Sequence, residues 1–181
     1  VEGIVEDIIP AGNKKTRDKV ITREFVQKKG KPFNKFLVRR SVERVYNLGF
    51  FDDVNVRMLP GEKNPNNVII EIDVLEHKTG TITLGAGYSK SDGLMGIIEF
   101  GEDNFRGTGD KFKVHWEIGG KKKYKNYQIS YLKPWIDHRG TSLGFSFFNR
   151  EDEYTDYDSD GSEVAEYNKK SKGFNISFGR Q

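Results

Sequence analysis

The chain has 181 residues, enough for one or two domains, and its 30 Lys and Arg against 27 Asp and Glu leave a formal net charge of only +3. A charge so small and so evenly spread gives no strong case for nucleic acid, and no nucleic-acid partner is expected. Cysteine is absent and no apolar run approaches the ~20 residues of a transmembrane helix, which excludes disulfides, thiol chemistry and helical membrane spans.

Residues 1–78 mix strand and helix patterns and are expected to form one domain. Gly3 to Ile9 predicts a short strand, which Pro10 closes. Thr16 is the expected N-cap of a first helix and Asn34 that of a second. The apolar residues at helical spacing are Val20, Ile21 and Phe25 in the first helix and Val38, Val42 and Val45 in the second.

Two strands with apolar residues at every second position complete this domain. Those residues are Val54, Val56 and Met58 in one strand and Val68, Ile70, Ile72 and Val74 in the other. The stretch between them is rich in Pro, Gly and Asn, so the pair predicts a hairpin. The resulting order of strand, helix, helix, strand, strand predicts two helices on a three-stranded sheet. That arrangement by itself does not fix a function.

The sequence pattern changes at His77–Gly80, and almost every ordered stretch that follows alternates apolar and polar residues. The alternation predicts about six strands between residues 79 and 181. Their apolar positions are Ile82, Leu84, Ala86 and Tyr88, then Gly96, Ile98 and Phe100, then Phe112, Val114, Trp116 and Ile118, then Tyr127, Ile129 and Tyr131, then Leu143, Phe145 and Phe147, and last Phe174, Ile176 and Phe178.

Two interpretations of these strands are open. A soluble sandwich or small barrel would turn the apolar faces inward. The strands of a membrane barrel would turn them toward lipid, where a charge costs about 2–4 kcal/mol near the bilayer midplane. The aromatic character of these faces, and the placement of Lys111 and Lys113 opposite the Trp116 face, favour the membrane interpretation.

The sequence carries no recognisable catalytic or metal-binding pattern. His77, His115 and His138 have no partner at a metal-ligand spacing, and there is no phosphate-binding loop or nucleophile elbow. Asp156–Gly161 imitates the start of a calcium loop, but Tyr167 stands at the twelfth position, where a bidentate Glu is expected. An acidic, solvated loop is the better interpretation. We therefore expect no enzyme, no catalytic residue, no metal site and no cofactor.

Two groups of segments carry a family resemblance. In the first domain they are Gly12–Thr16, Arg23–Glu24, Gly30–Asn34 and, as the most specific part, Tyr46–Val56. Among the strands they are Gly80–Ser89, Asp92–Leu94 and Asn104–Gly109. The first group resembles a POTRA domain, and more narrowly the last POTRA repeat of the BamA-like outer-membrane β-barrel assembly proteins. The second group is similar to the opening of the barrel in that family.

The resemblance implies an α+β chain in two parts. Residues 1–78 would be a POTRA domain of order β-α-α-β-β. Residues 79–181 would be the N-terminal part, about six antiparallel strands, of an outer-membrane β-barrel. Both ends of the sequence look cut, so we expect a fragment that does not close the barrel alone. The expected location is the outer membrane, with the POTRA domain in the periplasm.

The resemblance also implies that the first and last barrel strands form a weak seam that opens into the bilayer. The residues agree, because small residues weaken strand pairing and a loosely held edge is a template for another strand. The candidate client-binding residues on the first barrel strand are Thr81, Thr83, Leu84, Gly85 and Gly87. The edge of the POTRA sheet at Val54, Val56 and Met58 is a second candidate surface.

Three functions follow as hypotheses. The first is a non-enzymatic insertase for outer-membrane β-barrel proteins. Its partners would be unfolded outer-membrane proteins, accessory assembly lipoproteins and the lipid bilayer, and the fragment could self-associate through its open strand edges. The second is a transporter that uses POTRA domains and a barrel to secrete a passenger protein. The third is a soluble binding module whose second half is a closed β-domain.

Overall fold

The computed structural model describes residues 3–90, 93–120 and 124–180, leaving aside the side chains at positions 124, 152–157, 163 and 166. Within it the chain divides into two compact units. The first unit is residues 1–79 together with 103–109, and the second is residues 80–102 together with 110–181. The segment 103–109 thus belongs to the first unit, although the sequence pattern groups it with the strands that follow residue 79.

The first unit has the predicted order of strand, helix, helix, strand, strand. Its elements are β1 (Val5–Ala11), α1 (Asp18–Glu24), α2 (Lys35–Tyr46), β2 (Phe51–Pro60) and β3 (Val68–Glu76). The sheet order is β1-β3-β2, with β1 parallel and β2 antiparallel to β3. The predicted β2–β3 hairpin is therefore confirmed, and β1 and β2 form the two edges of this sheet.

The helix α2 begins as the sequence predicts. The Oδ1 atom of Asn34 accepts hydrogen bonds from the backbone N–H groups of Phe36 at 2.9 Å and Leu37 at 3.3 Å. These bonds satisfy two of the donors that a helix start leaves free. Val38 and Val45 are buried on the inner side of the helix, as their spacing requires.

The cap predicted for α1 is wrong. Arg17 holds the capping position, and no side chain caps the helix there. Thr16 is instead buried, with its backbone N–H donating to Glu76 Oε1 at 2.6 Å. Its hydroxyl oxygen accepts a hydrogen bond from Asn104 Nδ2 at 2.8 Å. Because the side chain is engaged with residues far along the sequence, it does not serve the helix start.

The apolar core lies in the first unit. Every buried hydrophobic side chain among the described residues falls between Val5 and Val74. Burying a Val, Ile or Phe side chain contributes about 1.5–3 kcal/mol, so this cluster is the main source of stability of the first unit. Its members are Val5, Val20, Ile21, Phe25, Val38, Val45, Phe50, Phe51, Val54, Ile70, Ile72 and Val74.

The second unit is a sheet built from the six predicted strands. They are β4 (Gly80–Ser89), β5 (Gly93–Phe105), β6 (Asp110–Gly119), β7 (Tyr124–Lys133), β8 (Thr141–Tyr157) and β9 (Glu163–Arg180). The strands follow one another in chain order, and the pairs β4–β5, β6–β7, β7–β8 and β8–β9 are antiparallel. β5 continues to Phe105, so within the segment Asn104–Gly109 the turn begins only after that residue.

Four of these strands have 10 to 13 residues, whereas β8 has 17 and β9 has 18. A membrane-spanning strand needs about 9–11 residues. The β8–β9 hairpin therefore continues well past its apolar part, where Lys170 Nζ lies 3.1 Å from Glu151 Oε1. Among the described residues, no helix combines the length and apolar character that crossing a membrane requires.

Candidate functional site

The sheet of the second unit has one apolar and one polar face. The cross-strand register brings Val114, Ile129, Phe147 and Phe174 into one row across β6 to β9. The next row consists of Lys113, Ser130, Ser146 and Asn175. Since neighbouring residues of a strand point to opposite faces, the two rows line opposite sides of the sheet.

The apolar face is exposed in the isolated chain. Its members include Ile82, Leu84, Tyr88, Leu94, Ile98, Phe100, Trp116, Ile118, Ile129, Phe145, Phe147, Phe174, Ile176 and Phe178. Rings pack side by side along it, as Tyr127 and Phe147 do with centroids 6.0 Å apart. Soluble monomers rarely expose a contiguous apolar patch of more than a few hundred Å². Lipid is the solvent that such a face fits, which opposes the soluble-module hypothesis.

The strand β4 lies at one edge of this sheet. It pairs with β5 along its full length, from Gly80 opposite Glu102 to Ser89 opposite Gly93. Among the described strands, none pairs with its other edge. Every residue from Gly80 to Tyr88 is exposed, with Ile82 72% and Leu84 74% accessible. The backbone donors and acceptors along this edge are therefore available to another strand.

The predicted client-binding residues divide between the two faces of β4. Thr81, Thr83, Gly85 and Gly87 alternate on the polar face. Leu84 is on the opposite, apolar face, opposite Ile98 of β5. The structure thus brings four of the five candidates together, and their role in binding stays a prediction.

The glycines of β4 are not required by packing. A Cβ atom added to Gly85 would meet Ile97 at 3.7 Å, and one added to Gly87 would meet Met95 at 3.9 Å, which are ordinary contacts. In β9, a Cβ on Gly173 would clash with the Phe148 ring of β8 unless that ring moved. Gly173 is thus closely covered by a neighbouring side chain, whereas Gly85 and Gly87 of β4 have room for a larger residue.

The predicted POTRA edge is only partly accessible. β2 is an edge strand, so its outer backbone groups are free of the sheet. Val54 is buried in the core and Val56 packs against it, whereas Met58 is exposed. The side chains of Val54 and Val56 hold the strand on the helices, and a partner there would meet backbone and Met58. A binding role for this edge stays a prediction.

The last residues of β5 and the turn that follows belong to the first unit, and we call residues 104–109 the anchor turn. Asn104 is buried, with Nδ2 donating to Thr16 Oγ1 and Oδ1 accepting from Gly109 N–H, both at 2.8 Å. The Gly107 carbonyl accepts a hydrogen bond from Arg17 N–H at 2.9 Å. A Cβ on Gly107 would lie 1.8 Å from the Lys15 carbonyl oxygen, so this close approach requires glycine.

The carboxylate of Glu76 supports the same loop from the end of β3. Its oxygens accept from the N–H groups of Lys14 at 2.8 Å, Lys15 at 2.9 Å and Thr16 at 2.6 Å. Burial acts to raise the pKa of Glu76, but the hydrogen bonds from these three residues outweigh it and lower that pKa from its usual value. The ionised carboxylate thus fixes the loop that receives the anchor turn.

Sequence reasoning missed this arrangement. Asn104–Gly109 carries part of the family resemblance and Thr16 fits a helix cap, but nothing in their spacing joins them. The signal that was available is the density of glycine in Arg106–Gly109, because glycine marks a close backbone approach. Glu76 is one acidic residue among many, and it has no distinguishing pattern.

The polar chemistry of the second unit is that of a hydrated surface. On the polar face, His115 Nδ1 lies 2.7 Å from Glu99 Oε1. No group of three or more His, Cys, Asp or Glu side chains with metal-binding geometry occurs in the part of the chain that the structure describes. The calcium-like segment Asp156–Gly161 includes side chains that lie outside the described residues.

Residues 3–77 match the POTRA family, described as a surface antigen variable number repeat, and residues 104–181 match the Omp85 superfamily domain. The outer membrane protein assembly factor BamA of Neisseria meningitidis is 32% identical over 146 residues, which are 81% of this chain and 18% of that protein. The chain spans 18–27% of the length of three curated BamA relatives that it matches.

Two solved structures share the arrangement. The crystal structure of BamA from Haemophilus ducreyi lacking POTRA domains 1–3 matches with a TM-score of 0.79 at 27% identity, over 97% of this chain and 32% of that one. CdiB from Acinetobacter baumannii matches with a TM-score of 0.62 at 19% identity, over 99% of this chain and 34% of that one, which shows a common fold.

These matches confirm the family, the fold class and the location that the sequence predicts. The strands β4 to β9 lie in the outer membrane, and the domain that precedes them lies in the periplasm. The polar and apolar rows of the sheet have the alternation that this location requires. The chain belongs to the BamA-like family of Omp85 proteins, as a POTRA domain followed by outer-membrane β-strands.

Proposed function

We propose that this chain is part of a non-enzymatic machine that assembles β-barrel proteins into the outer membrane, and that β4 is the strand on which a client strand forms. The observation that carries the proposal is the edge of β4, ten residues long and exposed from Gly80 to Tyr88. In lipid, unpaired backbone groups cost several kcal/mol each, so this edge needs a partner strand.

An unfolded outer-membrane protein fits this requirement. A client strand added to β4 would gain main-chain hydrogen bonds that do not depend on its side chains, while its own apolar residues would continue the apolar face. Recognition by backbone suits many different clients. No covalent bond is made or broken in such a step, which is why the proposed activity is not enzymatic.

The side chains of the β4–β5 pair support an exchangeable edge. Gly85 stands opposite Ile97, Ala86 opposite Gly96 and Gly87 opposite Met95. Cross-strand side-chain pairs contribute about 0.2–1 kcal/mol each, and these three pairs lack one or both side chains. In the β8–β9 pair, by contrast, Phe145 stands opposite Ile176 and Phe147 opposite Phe174. β4 is therefore held less firmly by side chains than the strands at the other end of the sheet.

Accessory assembly lipoproteins are proposed partners of the POTRA domain, with the β2 edge as the surface that offers free backbone. A transporter that secretes a passenger protein is the alternative function. The likeness to CdiB is a likeness of fold and favours neither function. A direct test at β4 therefore separates the two, because only the assembly function requires a client strand there.

Site-specific crosslinking in the longer protein tests the proposal. The chain has no cysteine, so Thr83→Cys and Gly85→Cys each introduce a unique thiol within it. We expect disulfide or maleimide crosslinks to a client outer-membrane protein bearing a cysteine in its terminal strand. The matched control is Ser146→Cys, which lies on the same polar face in β8 but is flanked by β7 and β9.

Crosslinks at β4 but not at Ser146 during client assembly would support the template role. Efficient assembly with no crosslink at either β4 position would refute it. A second test uses Gly85→Ala and Gly87→Ala, for which the structure has room. We expect both variants to fold and to slow client assembly, because added side chains strengthen the β4–β5 pair and restrict the approach of another backbone.

A further inference from the structure

The helix α2 has an exposed side with an unusual composition. Between positions 28 and 47 the chain has seven Lys and Arg residues and one acidic residue, Glu43. All seven basic residues are exposed; they are Lys28, Lys29, Lys31, Lys35, Arg39, Arg40 and Arg44. The inner side of the helix, with Val38 and Val45, faces the core, so the basic residues are concentrated on the outer side and at the helix start.

Some of these cations are neutralised within the domain and others are not. Lys29 pairs with Asp7 at 2.8 Å, Arg39 with Glu43 at 3.3 Å and Arg44 with Glu24 at 3.0 Å. Lys31, Lys35 and Arg40 make no ion pair with any residue that the structure describes. The outer side of α2 therefore carries positive charge that is not compensated locally.

Two large aromatic side chains lie on the same exposed side. Phe36 is 75% and Tyr46 54% accessible, at the first and last turns of α2. We call Lys31, Lys35, Phe36, Arg40 and Tyr46 the basic-aromatic face. A single exposed aromatic residue needs no explanation. Aromatic residues combined with Lys and Arg on one side of a helix are typical of helices that lie on an anionic membrane surface.

The opposite surface of the domain has the other sign. The outer face of the sheet carries Asp53, Glu71 and Asp73, and Arg57 pairs with the last two at 3.1 and 2.8 Å. An anionic surface would attract α2 and repel this sheet face. The two sides of the domain thus differ in the sign of their charge, and an anionic membrane would attract one side and repel the other.

We propose that the basic-aromatic face of α2 binds the anionic headgroup surface of the membrane. Charge complementarity identifies the partner: lipid phosphates attract Lys31, Lys35 and Arg40, and Phe36 and Tyr46 enter the interfacial layer as aromatic residues do at membrane boundaries. Thr79 of the first unit is followed directly by Gly80 of the first membrane strand, so the domain is tethered to the membrane by its own chain. This contact is independent of client binding at β4.

The test uses a fluorescent probe on the longer protein, with its complete barrel, reconstituted in lipid vesicles. An environment-sensitive dye is attached to Asn47→Cys at the end of α2, or to Asn55→Cys on the sheet face as a matched control; both asparagines are exposed. Vesicles of phosphatidylcholine are compared with vesicles that contain phosphatidylglycerol, with a headgroup-attached quencher. Tryptophan emission, to which Trp116 on the apolar face and Trp135 both contribute, reports in each sample that the strands are in the bilayer.

We expect quenching and a blue shift at position 47 in the phosphatidylglycerol vesicles, reversed by high salt, and neither effect at position 55. Each Lys or Arg near an anionic surface contributes about a fivefold factor in binding. The double substitution K35Q/R40Q is therefore expected to lower the binding constant of α2 for the surface roughly 25-fold. The control K19Q/K63Q has the same net charge and should leave it unchanged.

Equal signals in both kinds of vesicle, or equal signals at positions 47 and 55, would overturn the proposal. So would protection of position 47 that occurs only when an acidic protein is added, because the partner would then be a protein. Hydrogen exchange of the β3 amides confirms that each variant is folded. The reversal of the position-47 signal by high salt, measured without any Lys or Arg substitution, tests the electrostatic contact independently of the charge variants.

Discussion

The two units of this chain place their apolar side chains in opposite environments. In the first unit, Ile21, Ile70 and Ile72 are fully buried among other side chains. In the second unit, Ile82, Leu84 and Phe178 are more than 70% accessible, as large residues of a water-soluble domain rarely are in such numbers. Both units have strands with apolar residues at alternate positions, so the pattern alone does not separate them.

The difference lies in what covers the apolar face. In the first unit, two helices cover one face of a three-stranded sheet. The other face is uncovered and mixes charged residues such as Glu71 and Asp73 with exposed apolar ones such as Leu75. In the second unit, no described helix covers the apolar face, and lipid takes that place. A period-two pattern therefore identifies a strand with two unlike faces, while the presence or absence of amphipathic helices in the same segment identifies the solvent of the apolar face.

The largest expected effect is in the core of the first unit. Replacing the buried Ile72 by Ala is expected to destabilise this unit by about 2–5 kcal/mol, through lost burial and a cavity. The control is Leu75→Ala in the same strand, where the side chain is 61% accessible and the cost should stay within about 0.5 kcal/mol. Hydrogen exchange of the β3 amides in the intact chain measures both. Equal costs would show that β3 is not covered as described.

In the second unit, the large destabilising change should be a charge placed on the apolar face, whereas in the first unit it is a cavity in the core. Ile129→Arg puts a charge in the middle of β7 on the apolar face, at an expected cost of about 2–4 kcal/mol in a bilayer. Ser130→Arg puts the same charge on the polar face, next to Lys113, and is expected to cost much less. Folding of the longer protein, with its complete barrel, from urea into vesicles provides the measurement. If both variants fold equally well, the assignment of the two faces is wrong.

The anchor turn sharpens the comparison, because it lies among the strands in sequence yet is buried with the first unit. Asn104→Ala removes two hydrogen bonds inside that unit and leaves the Thr16 hydroxyl and the Gly109 N–H without them. We expect a loss of about 1–3 kcal/mol, the cost of unsatisfied buried polar groups. Hydrogen exchange of the α1 and β3 amides reports it. Asn55→Ala, at an exposed site, is the control and should change little.

Much of this architecture could be predicted from sequence because its causes are local. The Asn34 cap, the valine spacing of α2 and the period-two strands are all set within a few residues, and each is confirmed. The anchor turn could not be predicted, since Asn104 and Thr16 are 88 residues apart. The helix cap predicted at Thr16 is wrong for the same reason. A hydroxyl can cap a helix or bind a distant partner, and here it accepts a hydrogen bond from the side-chain amide of Asn104.

The edge strand is an intermediate case. The small residues of β4 are evident in the sequence, and the structure adds that Gly85 and Gly87 have room for a side chain. A pattern of glycine does not reveal whether a neighbouring side chain covers the position, as at Gly173, or leaves room for a larger residue. That distinction depends on the ring of Phe148 in the neighbouring strand. The candidate edge can therefore be found from the sequence, whereas the room for a side chain at Gly85 and Gly87 is evident only from the structure.

The smallest expected effect concerns pH and the Glu76 carboxylate that holds the loop of Thr16. Its pKa in the folded chain lies below the value of 4.5 expected when unfolded, because hydrogen bonds from Thr16, Lys15 and Lys14 outweigh the effect of burial. Its contribution to stability is thus complete above about pH 4.5 and is lost as the pH falls through the lower folded value. Hydrogen bonds from Lys63 and Lys29 also lower the pKa values of Glu6 and Asp7, so all three groups make the first unit less stable in acid.

The substitution Glu76→Gln isolates one of these three contributions. It keeps the shape of the side chain but removes its ionisation, so the variant should be less stable than the natural chain at pH 7. The difference should shrink as the pH falls below about 4.5 and through the lower folded pKa of Glu76. The measurement is hydrogen exchange of the Thr16 and Arg17 amides in both chains, at a series of pH values between 3 and 7. The stability of the second unit should not change with this substitution. Among the described residues, the hydrogen bonds of the Glu76 carboxylate go to the loop Lys14–Thr16 of the first unit. A difference between the two chains that stays constant from pH 3 to pH 7 would mean that the Glu76 charge does not hold this loop, and that the anchor turn is received by hydrogen-bond geometry alone.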